Sequence, residues 1–285
     1  MKHKYGPVSK GPGIHITEAK MMRLFAFADE SSFAIDEQIT AMRRNGLQGL
    51  EMRVVDGTNV SEISLEKARE VRKKLDDAGL STWSIGSPIG KIHIEKDDFQ
   101  AHLDKFKHTL EVAQVLGAEN IRIFSFFYEG KDPASCKNEV MDRLHQFVEL
   151  NKGTGIDLCH ENESAIYGDV AARCLEIHRE VPELKGIFDP ANFVQCNQEV
   201  LPAWELLKPY IKYLHIKDAL ANGRNCPAGQ GAGCLPEIIA KFAAQGGSAV
   251  TLEPHLMLTN EPERWGYPSQ SVAFDAACTA LKKFL

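Results

Sequence analysis

Short apolar runs alternate with longer amphipathic segments along most of this 285-residue chain. Eight of the runs have the length of buried strands and are rich in aliphatic, β-branched or aromatic residues, which predicts β-structure. They cover residues 23–27, 47–53, 80–86, 120–126, 155–161, 185–189, 211–216 and 248–253. Most of the segments between these runs are long enough to hold a helix.

The intervening segments repeat their apolar residues at helical spacing and carry helix start and stop signals. Ser64 is placed as an N-cap, and Gly79 is placed to end the helix that follows it. The apolar face of that helix is formed by Leu65, Ala68, Val71 and Leu75. The same pattern predicts helices over residues 98–117, 133–150, 169–181, 200–207, 235–244 and 270–285.

A helix follows nearly every predicted strand, which is the order of a (β/α)8 TIM barrel, because parallel neighbouring strands need crossover connections. We therefore predict an α/β fold with a single domain over residues 1–285. The barrel would occupy about residues 21–285, after an N-terminal extension over residues 1–20. An open doubly wound sheet competes with this prediction. Its Gly-rich dinucleotide-binding turn is missing after the first strand, where FADESSFAIDEQ stands instead.

The charge and cysteine patterns limit which classes of binding partner and which cellular compartment are expected for this chain. The net charge is −6 and no block of five Lys or Arg occurs, which argues against a nucleic-acid backbone or an anionic membrane as a partner. The chain shows neither a signal-peptide pattern nor a membrane-length apolar run, so we expect a cytoplasmic protein with small-molecule partners. Seven scattered cysteines without a CxxC pair argue against a disulfide framework and a thiolate zinc site.

Four of the predicted strands end at or next to a polar residue. The fifth strand ends at Glu161, the sixth at Asp189, the seventh near His215 and the eighth at Glu253. In a TIM barrel the side chains at these strand ends converge on one site. Three carboxylates and one imidazole suit a hard or borderline divalent cation such as Mn²⁺, Mg²⁺, Co²⁺ or Zn²⁺. The sequence therefore predicts a site for one divalent metal ion.

With these motifs the sequence resembles the xylose isomerase-like barrels, which include sugar and sugar-phosphate epimerases, inosose dehydratases, hydroxypyruvate isomerases and endonuclease IV. The resemblance runs from the second strand to the end and is carried by LCHENE, FDPANF, YLHIKD, CPAGQGAG and VTLEPHL. It implies that Glu161, Asp189, His215 and Glu253 bind one divalent metal ion. It also implies that Glu161 and Glu253 are the acid/base pair. Homodimers and homotetramers are common among such relatives, which makes a homo-oligomer one expectation.

Such a site supports several related reactions. A cation that holds the carbonyl and hydroxyl oxygens of a hydroxy-ketone stabilises the enediolate formed by proton loss. Return of the proton on the opposite face is epimerisation, and its return to the adjacent carbon is aldose–ketose isomerisation. We expect an isomerase or epimerase of a small sugar, sugar phosphate or related hydroxy-ketone. An inosose-type dehydratase, in which a β-hydroxyl leaves, and a non-catalytic sugar-binding barrel are the alternatives.

The chain departs from many relatives after the sixth strand, where Asn192 stands in place of a His. An amide is a poor metal ligand but orients a sugar hydroxyl well. Endonuclease IV relatives need that His and an Asp-x-His after the seventh strand for three zinc ions. This chain has neither, and its charge is acidic, so the sequence disfavours DNA repair.

Further candidates for substrate binding lie at or just beyond the strand ends, where loops build the site of a barrel. Lys217 and Asp218 follow His215 and are expected to contact substrate or to orient that imidazole. Other candidates are Arg53 after the second strand, Ser87 and Lys91 after the third, and His255 after the eighth.

Overall fold

The computed structural model describes residues 22–257 and 265–285, and in these residues eight parallel strands close into a barrel. The strands are β1 (Arg23–Ala26), β2 (Gly49–Met52), β3 (Ser81–Ile85), β4 (Asn120–Ile123), β5 (Asp157–Glu161), β6 (Lys185–Phe188), β7 (Ile211–Ile216) and β8 (Ala249–Leu252). Each pairs with its neighbours in chain order, and β8 pairs with β1. The predicted (β/α)8 TIM barrel is confirmed. The predicted N-terminal extension lies outside the described residues.

Helices surround the barrel in the described part of the chain. They are α1 (Ile35–Arg44), α2 (Leu65–Ala78), α3 (Phe99–Leu116), α4 (Pro133–Asn151), α5 (Ala171–Glu180), α6 (Pro190–Gln195), α7 (Val200–Leu207), α8 (Leu235–Ala244) and α9 (Gln270–Leu281). No helix described over residues 22–257 and 265–285 has the length and apolar character needed to cross a membrane.

The predicted boundaries of α2 are confirmed by the contacts at its two ends. The Ser64 hydroxyl accepts a hydrogen bond from the Lys67 amide at 3.1 Å, and Gly79 ends the helix with a φ of 69°. By contrast, α1 and α6 are missing from the sequence prediction. The buried face of α1 includes Gln38, whose side chain donates to the Val54 carbonyl, so its apolar pattern is interrupted. Helix α6 has only six residues, too few to show a period.

The inside of the barrel is divided into an apolar floor and a polar mouth. The floor consists of Phe25, Trp83, Cys159, Ile187, Tyr213 and Ala249. Side chains two positions apart on a strand point to the same side. Glu161, Asp189 and His215 therefore each lie one step above a floor residue of their own strand. The polar residues of the mouth are thus supported from below by packed side chains.

A buried histidine in the helical layer makes stability depend on pH. His178 stacks on Tyr210 with the ring centres 5.0 Å apart, and burial lowers its pKa to about 4. An imidazole in the unfolded chain has a pKa near 6.5. As the pH falls from about 6.5 to 4, His178 binds a proton in the unfolded chain but stays neutral in the folded chain. The free energy of unfolding therefore decreases over this range.

We expect His178→Phe, which keeps a ring but cannot titrate, to flatten this pH dependence. The decrease in the free energy of unfolding between about pH 7 and pH 4.5 should be smaller by about 2 kcal/mol than in the wild type, as measured by urea unfolding. His145→Gln, on the exposed side of α4, is the control and should follow the wild-type curve. An equal decrease in all three proteins would show that His178 does not govern this dependence.

Candidate functional site

The C-terminal ends of four consecutive strands, β5 to β8, bring together Glu161, Asp189, His215 and Glu253. One potential ligand atom from each lies within 4.8 Å of the others. His215 Nδ1 is 2.8 Å from Glu161 Oε1 and 3.3 Å from Glu253 Oε2. All four side chains are buried. The four residues that the sequence placed at the strand ends therefore form one cluster, which we call the quartet.

Local turns fix the direction of Asp189. It is the N-cap of α6, so its Oδ1 accepts a hydrogen bond from the Asn192 amide at 3.0 Å, and Pro190 occupies the first turn of the helix. Asn162 holds the Asp189 backbone from the other side, because its side chain exchanges two hydrogen bonds of 2.9 Å with the Asp189 amide and carbonyl. These contacts leave Oδ2 directed towards Lys217, whose Nζ is 2.9 Å away.

Three buried carboxylate oxygens of the quartet make no hydrogen bond of acceptable geometry with the described residues. They are Glu161 Oε2, Asp189 Oδ2 and Glu253 Oε2. Such oxygens are costly inside a protein unless a cation compensates them. Lys217 and Arg122 lie at ion-pair distance, 2.9 Å from Asp189 Oδ2 and 3.1 Å from Glu161 Oε2. Unsatisfied carboxylate oxygens beside one imidazole are the donor set of a divalent cation, so the quartet fits a metal ion.

The surrounding charges keep both glutamates of the quartet ionised. Burial acts to raise the pKa of Glu161, but the positive charges of His215 and Arg122 outweigh it and hold the pKa below its ordinary value. Burial acts in the same direction on Glu253, where Lys217 and other cationic neighbours hold the pKa well below its ordinary value. Each carboxylate is thus available as a base or as a ligand.

The pKa values of the other two members of the quartet, Asp189 and His215, are raised. Burial raises the pKa of Asp189 to about 6, against the opposing charge of Lys217. Burial acts to lower the pKa of His215, but the carboxylates of Glu161 and Glu51 raise it well above its ordinary value. Glu161 and Glu253 add a smaller contribution to the raised pKa of Asp189. The carboxylates around His215 are therefore a negatively charged environment that favours a cation at the centre of the quartet.

A second charged group adjoins Glu253 on the β1 and β2 side. Arg53 Nη1 is 3.0 Å from Glu253 Oε1, and Arg53 Nε donates to Asp29 Oδ2 at 2.7 Å. His255 Nε2 is 3.2 Å from the same Glu253 oxygen and 3.5 Å from Glu30 Oε1. Glu30, Glu253 and His255 also have the spacing of a metal site. However, the Arg53 guanidinium lies 3.6 Å from Glu30 and already supplies positive charge there.

A cavity of about 200 Å³ opens beside Glu253. Its lining comprises Arg53, Asn59, Gly86, Pro88, Lys91, Arg122, Glu163, Glu253 and His255. At its edge Lys91 Nζ donates to Glu163 Oε2 at 2.8 Å. Drug-sized ligands occupy cavities of roughly 300–1,000 Å³, so this one suits a smaller polar molecule. Of the candidates for substrate binding predicted from the sequence, Arg53, Lys91 and His255 line this cavity.

Asn192 and Lys217, two of the candidates for substrate binding, lie against the quartet. The Asn192 amide donates to the Asn162 carbonyl at 2.8 Å and is 3.5 Å from Glu161 Oε1. Its own Oδ1 is buried and makes no hydrogen bond with the described residues, so it is free to accept one from a ligand hydroxyl. Lys217 Nζ contacts Asp189, as above, and is 3.8 Å from Glu253 Oε2.

Asp218 and Ser87 are engaged elsewhere, which the sequence did not predict. The Asp218 carboxylate accepts hydrogen bonds from the amides of Gly229, Gly231 and Gly233, so it ties down the glycine-rich loop after β7 and does not orient His215. Ser87 is buried, and its hydroxyl donates to the Arg122 carbonyl while accepting from the Ile89 amide. The contacts of both side chains are therefore those of loop and turn formation.

Sequence reasoning missed two charged residues inside the barrel. Glu51, in β2, is fully buried, and its Oε2 is 3.1 Å from His215 Nε2. Arg122, in β4, places Nη1 3.1 Å from Glu161 Oε2 and 3.7 Å from Glu253 Oε1. The available signal was a charged residue within the apolar runs GLEM and NIRI, because a charge in a strand buried on both faces needs a partner.

One protein of known sequence is similar to this chain over part of its length. The Escherichia coli (strain K12) protein YihM, described as uncharacterised, is 22% identical over 196 residues, which cover 66% of this chain and 56% of YihM. The matched part of this chain thus spans little more than half the length of that relative.

Solved structures with the same barrel share little sequence with this chain. The probable 3-DHS dehydratase AsbF from Bacillus anthracis has 18% identity and a TM-score of 0.72 over 92% of this chain and 99% of AsbF. D-Psicose 3-epimerase with D-tagatose, from Clostridium cellulolyticum H10, has 15% identity and a TM-score of 0.71 over 92% and 98% of the two chains. The IOLI protein with a bound zinc atom has 16% identity and a TM-score of 0.73 over 92% and 98%.

At these identities the structural likeness establishes the barrel fold and nothing finer. The family assignment comes from the sequence, because a family model described as a xylose isomerase-like TIM barrel matches residues 39–268, well over half of the chain. The resemblance inferred from the strand-end motifs is therefore confirmed. This chain belongs to the xylose isomerase-like TIM barrel family.

Proposed function

We propose that this protein is a divalent-metal-dependent isomerase or epimerase of a small sugar, sugar phosphate or related hydroxy-ketone. The main support is the placement of Glu161 and Glu253, two ionised carboxylates at the ends of β5 and β8 that both belong to the quartet. The cavity beside Glu253 has the size for a small polyhydroxy compound. Fold relatives described as an epimerase and as a zinc-binding protein add support of a weaker kind.

The quartet is the proposed metal site, and a bound divalent ion would supply Lewis-acid polarisation of the substrate's adjacent oxygens. Glu161 and Glu253 then divide the proton transfer between them: one removes the proton from the carbon next to the carbonyl, and the other returns one. Return on the opposite face inverts the carbon, whereas return to the neighbouring carbon interconverts aldose and ketose.

Arg122 and Asn192 have supporting roles in this scheme. Arg122 Nη1 lies close to both Glu161 and Glu253, and its charge helps to keep the Glu161 carboxylate ionised before the substrate enters. The free Oδ1 of Asn192 is placed to accept a hydrogen bond from a substrate hydroxyl. Lys91 and Glu163, paired at the edge of the cavity, are placed to bind hydroxyls further from the reacting carbon.

A dehydratase is the second candidate, supported by the likeness to the probable 3-DHS dehydratase AsbF. The first proton removal would be the same, after which a hydroxyl on the next carbon would leave as water, with one of the two glutamates as its acid. Arg53 and Arg122 beside Glu253 would also accommodate an anionic group of such a substrate.

Metal binding is tested without reference to catalysis. We expect Mn²⁺ or Zn²⁺ to raise the melting temperature of the chelator-treated wild type, because a ligand at 100 times its Kd stabilises the folded state by about 2.7 kcal/mol. Asp189→Asn should lose most of this shift, since the substitution removes a charged donor while an Asn side chain keeps the N-cap of α6. Glu163→Gln, a carboxylate outside the quartet, should keep it. No shift in the wild type, or a full shift in Asp189→Asn, would contradict the metal site.

The acid/base roles are tested by substitution and isotope exchange. Glu161→Gln and Glu253→Gln should each lower kcat by about 10²–10⁴-fold, because a general acid/base is lost. In D₂O the wild type should place deuterium on the carbon next to the carbonyl, detected by mass spectrometry across a panel of ketoses and ketose phosphates. Glu95→Gln, on the exposed surface, is the control and should keep wild-type turnover. A product lighter by one water would instead favour the dehydratase, and full turnover in either Gln variant would contradict the two-glutamate mechanism.

A further inference from the structure

Glu51 is a buried carboxylate of the barrel interior to which the proposed mechanism gives no role. Glu51, in β2, and Glu161, of the quartet, lie on opposite sides of the His215 ring. Its Oε2 is 3.1 Å from His215 Nε2, whereas His215 Nδ1 is 2.8 Å from Glu161 Oε1. The two ring nitrogens therefore have different partners: Nδ1 faces the quartet and Nε2 faces Glu51.

The Glu51 side chain is itself held in place from two other strands. Its Oε1 accepts hydrogen bonds from the Tyr213 hydroxyl at 3.0 Å and from the Ser84 hydroxyl at 3.3 Å. Tyr213 belongs to the apolar floor, where its ring packs edge-on against Trp83 with the ring centres 5.6 Å apart. The floor thus fixes Glu51, and Glu51 is in turn placed to fix the His215 ring.

We propose that Glu51 is a positioning residue for the metal ion of the quartet. An imidazole that donates its distal N–H to a carboxylate keeps the tautomer whose other nitrogen has a free lone pair, and it becomes a stronger ligand. Glu51 would act in this way by accepting Nε2–H, which leaves Nδ1 for the cation. The inference rests on the metal-binding part of the proposed function and is independent of the reaction catalysed.

A competing explanation gives Glu51 a purely structural role. The carboxylate is a buried acceptor for three side chains, and such a network contributes to stability whether or not a metal binds. Tyr213→Phe separates the two roles, because it removes one hydrogen bond from the same carboxylate and leaves the contact between Glu51 and His215 in place. A purely structural network predicts the same effect on Zn²⁺ binding from both substitutions.

The experiment is calorimetric titration of the chelator-treated protein with Zn²⁺. We expect Glu51→Gln to raise the Kd for Zn²⁺ by about 10–100-fold, the usual consequence of losing the outer partner of a ligating histidine. Tyr213→Phe should stay within about 3-fold of the wild type. A Kd for Glu51→Gln within that range, or equal weakening by both substitutions, would overturn the positioning role.

Nitrogen-15 NMR of the wild-type imidazole gives a second test that needs no variant, in case Glu51→Gln fails to fold. In the Zn²⁺-loaded protein we expect His215 to carry its proton on Nε2 and its metal on Nδ1, and the reverse assignment would overturn the inference. If Zn²⁺ binds tightly and the Kd and NMR results are as expected, but no ketose is turned over, the positioning role of Glu51 is supported and the proposed reaction is contradicted. Absence of Zn²⁺ binding in the wild type would overturn both.

Discussion

The interaction on which the site depends is the mutual neutralisation of charges buried at the mouth of a closed barrel. Three carboxylates from three strands surround His215, and each is too deeply buried to be stabilised by water alone. Lys217, Arg122 and Arg53 enter from other positions and lie at 2.9, 3.1 and 3.0 Å from oxygens of these carboxylates. Yet three carboxylate oxygens keep no hydrogen bond within the described residues, so the field still favours a cation at one point.

The fold supports this arrangement through the regular alternation of its strands. Floor and mouth residues are two positions apart on the same strand, so the packing of Trp83 and Tyr213 below sets the height and direction of His215 above. Glu51 extends this coupling, because one carboxylate contacts both Tyr213 and His215. The chemistry proposed for the mouth thus depends on the packing of the apolar floor beneath it.

The sequence predicted those parts of the molecule that follow from local pattern. All eight strands were predicted because each is a short apolar run, and the quartet because its members end four of those runs. Glu51 and Arg122 were missed because they contact residues far away in sequence, His215 for Glu51 and Glu161 and Glu253 for Arg122, which come close only when the barrel closes. The contacts of Asp218 were not predicted for a related reason: it lies close to His215 in sequence, but its carboxylate accepts hydrogen bonds from the glycine-rich loop. An ion pair between residues that are far apart in sequence cannot be predicted from the residues next to either partner.

We propose that the quartet, and not the neighbouring Glu30–Glu253–His255 group, binds one divalent ion. The most direct measurement is an anomalous difference map from crystals of the full chain grown with Zn²⁺, recorded on both sides of the zinc absorption edge. We expect one strong peak bonded to Glu161, Asp189, His215 through Nδ1, and Glu253. A map with no peak among these four residues, or with its peak beside Glu30 and His255, would contradict it.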